Sequence, residues 1–145
     1  MPRSLQVLLR DAHSAVDAEV AGAATRAGFS ELKPGHHIVL RNLGENGARP
    51  SEMAAAAGVT RQAITKVVDD LERRGVVRRE PDPVDGRGVI VRYTERGLEG
   101  LAVARRRMAA MEADFAARLG PDRWSEVRIA LEILFPDNPK SPHPH

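Results

Sequence analysis

From Gly58 to Gly75 the chain reads GVTRQAITKVVDDLERRG, a stretch that admits few folds. Ile64, Val67, Val68 and Leu71 recur at i, i+3, i+4 and i+7, which is one face of a helix with 3.6 residues per turn. At about 100° per residue, Gln62 and Lys66 point away from that stripe, with Arg61 and Thr65 on one flank. Thr60 stands where an N-cap belongs, because its hydroxyl can accept from a free backbone amide of the first turn. Gly75 stands where the chain should leave the helix in a left-handed conformation. Asp69 and Arg73 are spaced i, i+4 with the acid first, the favourable order for a surface pair. The helix therefore divides in two. The outer face of its first turns is free to donate, and that of its last turns pairs with itself and with water.

The flanking segments give this helix a setting. Pro50 suits the first position of a short helix, with Glu52 in the first turn facing the positive dipole end. Gly58 makes the turn between the two helices, a helix-turn-helix pattern. After Gly75 the period changes: VVRRE and VIVRY are short, β-branched and bounded by turn residues, so they predict two strands. PDPVDGRG lies between them as a charged hairpin tip. Toward the N-terminus, Leu5, Leu8, Leu9, Ala12, Val16 and Val20 predict a first helix from about Leu5 to about Arg26. AGFSELKPG breaks it, and a second helix carries Ile38, Val39, Leu40 and Leu43. Thr94 can cap a helix running to about Leu119, with Leu98, Leu101, Met108, Met111, Phe115 and Leu119 in helical rhythm. At ~1.5 Å per residue it is about 36 Å long, more than a domain of this size can cover alone. A last helix carries Trp124, Val127, Leu131 and Leu134, and residues 136–145, PDNPKSPHPH, read as a disordered tail.

Composition narrows the function. At 145 residues the chain reads as a single domain over residues 1–135, and 42% apolar with 29% charged residues are globular values. The absence of cysteine removes disulfides, thiolate metal ligands and a cysteine redox switch together. No apolar run approaches the ~18 residues of a membrane span. The opening MPRSLQVLLRDAHSAVD has neither an apolar core nor a cleavage site, so the expected location is cytoplasmic. A net charge of +2 permits a nucleic-acid partner without arguing for one. With three Phe, one Tyr and one Trp there are few rings on which to stack single-stranded bases, so duplex DNA is the better partner.

The text from Arg49 to Gly97, RPSEMAAAAGVTRQAITKVVDDLERRGVVRREPDPVDGRGVIVRYTERG, resembles the MarR family of bacterial winged-helix transcription regulators. DGRGVIVRYT is its most specific piece, with Asp85, Arg87, Val91 and Thr94 matching the family's wing; Tyr93 stands where leucine is usual and should still face the core. The resemblance implies a mainly α fold with a small β-hairpin: a winged helix-turn-helix over about 32–93, flanked by N- and C-terminal dimerisation helices over about 5–26 and 94–135. It implies a homodimer on a pseudo-palindromic DNA site with half-sites ~10 bp apart. A sequence-specific regulator, most often a repressor, is the function that follows.

On that resemblance Thr60, Arg61, Gln62, Thr65 and Lys66 face a major groove, where Gln62 can pair with adenine and Arg61 with guanine. Arg87 at the wing tip meets the adjacent minor groove, with Asp85 orienting it. Ser51 can donate to a phosphate from the start of its helix. Family members usually keep a cleft for phenolic or other apolar small molecules, which here draws on His13, His36, His37 and Leu40. Adjacent histidines on a helix diverge by about 100°, and without cysteine or a clear carboxylate partner they do not make a metal site. Buried, hydrogen-bonded histidines are the plainer reading of His36 and His37. Arg105–Arg107 reads as a solvated helix face. A winged module kept for protein contact would be expected to lose Arg61, Gln62 and Lys66, which this chain retains. Nothing resembles a nucleophile–base constellation, a phosphate loop, a metal cluster or a cofactor motif, so no enzyme activity is expected.

Overall fold

The computed structural model describes residues 1–30 and 32–136. In chain order the elements are α1 (Leu5–Arg26), a single 3-10 turn (Pro34–His36), α2 (His37–Leu40), α3 (Pro50–Ala57), α4 (Arg61–Arg73), β1 (Val77–Pro81), β2 (Val89–Tyr93), α5 (Glu95–Leu119) and α6 (Pro121–Leu134). They fall into two compact units: residues 1–32 with 100–127, and residues 33–99 with the described chain beyond Val127. The predicted tail lies outside the described residues from position 137 onward.

The first unit is helical. Ser4 caps α1 by accepting from the Val7 amide at 3.4 Å. Phe29 is buried where Gly100 on α5 leaves room for its ring. Arg107 on α5 holds Glu19 on α1 at 2.6 Å, so one of the three consecutive arginines is a structural partner. Trp124 stacks at a tilt on Phe115, with ring centroids 5.1 Å apart. Much apolar surface nevertheless stays in solvent. Leu5, Leu8 and Leu9 of α1 and Met108 and Leu119 of α5 are exposed, and α6 buries none of its residues.

The second unit holds the tighter core. Val39, Leu43, Met53, Ile64, Val68, Leu71, Val77 and Val91 are fully buried, each removal of such a side chain from water contributing about 1.5–3 kcal/mol. β1 and β2 pair antiparallel from Val77 opposite Tyr93 to Pro81 opposite Val89. Ala48 joins them through a two-bond bridge to Val91 (3.0 and 2.9 Å). Thr94 caps α5 by accepting from the Gly97 amide at 3.0 Å. Its hydroxyl also donates to the Gly75 carbonyl at 2.5 Å, which ties the end of the hairpin to the exit of α4.

α2 is the element that departs from expectation. It ends at Leu40, and Leu43 reaches the core from outside any helix. The side-chain amide of Asn42 donates to the Ile38 carbonyl at 2.7 Å, the acceptor that a continuing helix would give to a backbone amide. The Tyr93 hydroxyl takes the Leu40 carbonyl at 2.9 Å. Tyr93 thus faces the core, and its hydroxyl adds a bond that leucine could not make.

Candidate nucleic-acid interface

α3 ends at Gly58, whose φ of 66° no β-carbon tolerates cheaply, and the Val59 amide returns to the Ala54 carbonyl at 3.1 Å. Two residues later Thr60 caps α4, its hydroxyl accepting from the Ala63 amide at 3.1 Å. The turn is therefore set locally, and it directs the apolar stripe of α4 inward. Ile64, Val68 and Leu71 have no solvent exposure. Arg61, Gln62 and Lys66 are exposed and Thr65 is half-buried.

The hairpin tip is shaped by its own backbone. The Asp82 amide donates to the Gly88 carbonyl (3.0 Å), and the Gly88 amide to the Asp85 carbonyl (2.8 Å). The Asp85 carboxylate accepts from the backbone amide of Arg87 at 3.1 Å. Asp85 thus orients Arg87 through the main chain of the turn and not by gripping its guanidinium. Asp85 and Arg87 are both exposed, as is Ser51 in the first turn of α3.

The cations of this unit are wired in two ways. Those at the end of α4 and on the hairpin strands are tied to acids: Arg73 and Arg74 reach Asp70 (both 3.1 Å), and Arg79 reaches Asp69 and Glu72 (both 2.5 Å). Arg78 and Arg92 share Glu80 (2.6 and 2.9 Å). The carboxylate of Asp69 therefore serves Arg79 on β1, where the i, i+4 spacing predicted Arg73. Arg61, Lys66 and Arg87 have no acid partner among the described residues, and the amide of Gln62 has no partner there either.

Two buried polar groups have charged partners that the sequence does not reveal, although His36 is the buried, hydrogen-bonded histidine expected. Asp82, 3% exposed, accepts from the Arg49 guanidinium and from the Val84 amide (2.9 Å). Those two contacts, Arg49 first, hold its carboxyl at about 2, below the usual 3.8. His36, 4% exposed, accepts from the Lys33 amide on Nδ1 (2.9 Å) and meets Asp70 through Nε2 (2.6 Å). His36 and then Arg74 bring Asp70 to about 2. The partners lie more than thirty positions apart, so no spacing rule could have joined them.

Of the other residues predicted for an effector, His13 is exposed on α1 beside Asp17 at 3.3 Å, and His37 and Leu40 are half-buried around α2. Among the described residues no group of His, Asp and Glu is arranged to hold a metal, and no helix is long and apolar enough to cross a membrane.

A capped helix-turn-helix followed by a two-stranded wing defines a winged-helix protein of the DNA-binding class. The MarR family model matches residues 30–88. A candidate transcriptional regulatory protein for the hcr operon of Thauera aromatica is 30% identical over 112 residues, 77% of this chain and 68% of that one. The transcriptional repressor MprA of Escherichia coli is 34% identical over 64 residues, 44% of this chain and 36% of its own. The crystal structure of CouR from Rhodococcus jostii RHA1, bound to p-coumaroyl-CoA, aligns with a TM-score of 0.67 at 26% identity, covering 93% of this chain and 94% of that one. The chain belongs to the MarR family of transcription regulators.

Proposed function

We propose that the protein is a homodimeric repressor that reads a pseudo-palindromic operator in duplex DNA. The observation that carries this reading is the set of unneutralised donors at the start of α4 and the wing tip. Arg61, Lys66 and Arg87 are without acid partners among the described residues, while arginines nearby are paired. Ser51 on α3 and Thr65 on α4 add hydroxyls for phosphates, Thr60 can donate its hydroxyl proton while its oxygen caps α4, and Gln62 supplies a two-point contact to adenine. The uncovered apolar residues of α1, α5 and α6 support a second copy of the chain as their cover.

The name of MprA supports repression. A small apolar or phenolic molecule releases the dimer by favouring a spacing of the winged units that does not match successive grooves. The p-coumaroyl group of the CoA thioester bound to CouR supports a phenolic component in such an effector. His37 and Leu40, half-buried around α2, are its proposed contacts in the winged unit, and His36, with both ring nitrogens engaged, offers only its ring face.

Selection of randomised duplex DNA by the purified protein at physiological salt tests the reading. One enriched pseudo-palindrome with half-sites about one helical turn apart is the expected result. Binding that is sequence-blind and disappears with added salt would leave only a non-specific DNA-binding role.

A further inference from the structure

We infer that Arg49 and Asp82 form a latch that positions the wing, so that Arg87 meets DNA in one fixed geometry; this rests on the reading of Arg87 as a minor-groove contact. Asp82 is the root of the hairpin tip and is almost entirely buried. A carboxylate so placed needs a matching charge and filled lone pairs. Arg49 supplies the charge through Nε, and the Val84 amide fills the other oxygen at 2.9 Å. The backbone of Asp82 closes the same loop onto Gly88.

Arg49 is the residue from which α3 starts. Its own amide donates to Glu52 at 3.0 Å, and its guanidinium lies 3.6 Å from the same carboxylate. The latch therefore joins the loop that carries Arg87 to the helix start that carries Ser51. The bonds around Asp85 shape the tip but remain within it, whereas the Asp82–Arg49 pair fixes the tip to α3. A wing fixed before binding loses less conformational freedom on the DNA. Arg49 and Asp82 are positioning residues on this view, acting through Arg87. Arg49 is 40% exposed and could also touch a phosphate, but the buried anion of Asp82 cannot, so the Asp82 variant separates the two roles.

The experiment uses the full chain and its selected operator, with Asp82→Asn, Arg49→Gln, Arg87→Ala and the Asp82→Asn/Arg87→Ala double variant. Affinity is read by anisotropy, minor-groove protection by hydroxyl-radical footprinting, and folding by circular dichroism. Asp82→Asn and Arg87→Ala should each weaken binding about tenfold, and the double variant no further, because both remove the same contact. Protection of the flanking minor groove should vanish in both, while base preference under α4 is retained, a pattern that mere loss of stability would not produce. An additive loss of about a hundredfold in the double variant, or a wild-type footprint for Asp82→Asn, would overturn the latch and leave the wing reading standing. Wild-type binding by Arg87→Ala would overturn the wing reading and the latch with it. Should Asp82→Asn not fold, Arg49→Gln at its half-exposed site carries the same cycle.

Discussion

The first turns of α4 and the last turns carry similar residues and are wired differently. Lys66 and Arg73 both lie on the outer face, yet Lys66 has no acid within reach among the described residues while Arg73 is tied to Asp70 at 3.1 Å. Asp69, Asp70 and Glu72 stand where the C-terminal half of the helix meets β1 and the 3-10 turn, and they neutralise the arginines there. Positive charge remains unneutralised at the start of α4 and at the wing tip. The contrast teaches that counting basic residues, or summing a net charge of +2, misses the feature that distinguishes the surface proposed to face DNA.

The comparison can be broken from either side. The largest effect belongs to the inner face: Leu71→Ala should lower stability by about 2–5 kcal/mol in a denaturant titration, and it should act on DNA only by unfolding. Lys66→Glu should weaken operator binding about a hundredfold through repulsion of the phosphates, with the melting temperature unchanged. A parallel fall in both would move Lys66 into the fold-stabilising set. Gln62→Ala should cost about 1–3 kcal/mol, concentrated at one base position in a competition series across operator variants. An even loss across all variants would make Gln62 a phosphate or positioning contact.

Acid tests the paired half. Asp70 and Asp82 are held at about 2 against an ordinary 3.8, so their stabilising pairs are intact above pH 3.8 and are lost as pH falls toward 2. Thermal melts should therefore show Asp70→Asn well below the wild type at pH 6 and the gap closing near pH 2. A gap that did not change with pH would mean that the ion pair contributes nothing. The smallest effect is expected for Arg73→Ala, which should alter operator affinity by no more than about twofold because its charge is already matched at the surface. A loss as large as that of Lys66→Glu would erase the distinction between the two halves of the helix.

Much of this architecture is legible in the sequence. The limits of α1, the Thr60 cap, the left-handed Gly75 (φ 72°) and the second strand all fall where predicted. α2 was over-extended because Ile38, Val39, Leu40 and Leu43 keep helical spacing, and spacing does not register that Asn42 and Tyr93 take the carbonyls at its end. The Asp69–Arg73 pair was a sound local expectation, outcompeted by Arg79, which reaches Asp69 and Glu72 together.

What the sequence determined by itself is what acts over a few residues: which segments are helix or strand, where they are capped, which face is apolar and which residues the helix holds outward. Caps, turns and periodicity are short-range, so one sequence carries them without a fold. The fold decided which charges are neutralised across long stretches of chain. Arg49 meets Asp82 across 33 positions and His36 meets Asp70 across 34, because packing α3 on the wing and the 3-10 turn on α4 brings them together. Pairing of charges depends on distance in space, and that distance exists only once the core has closed.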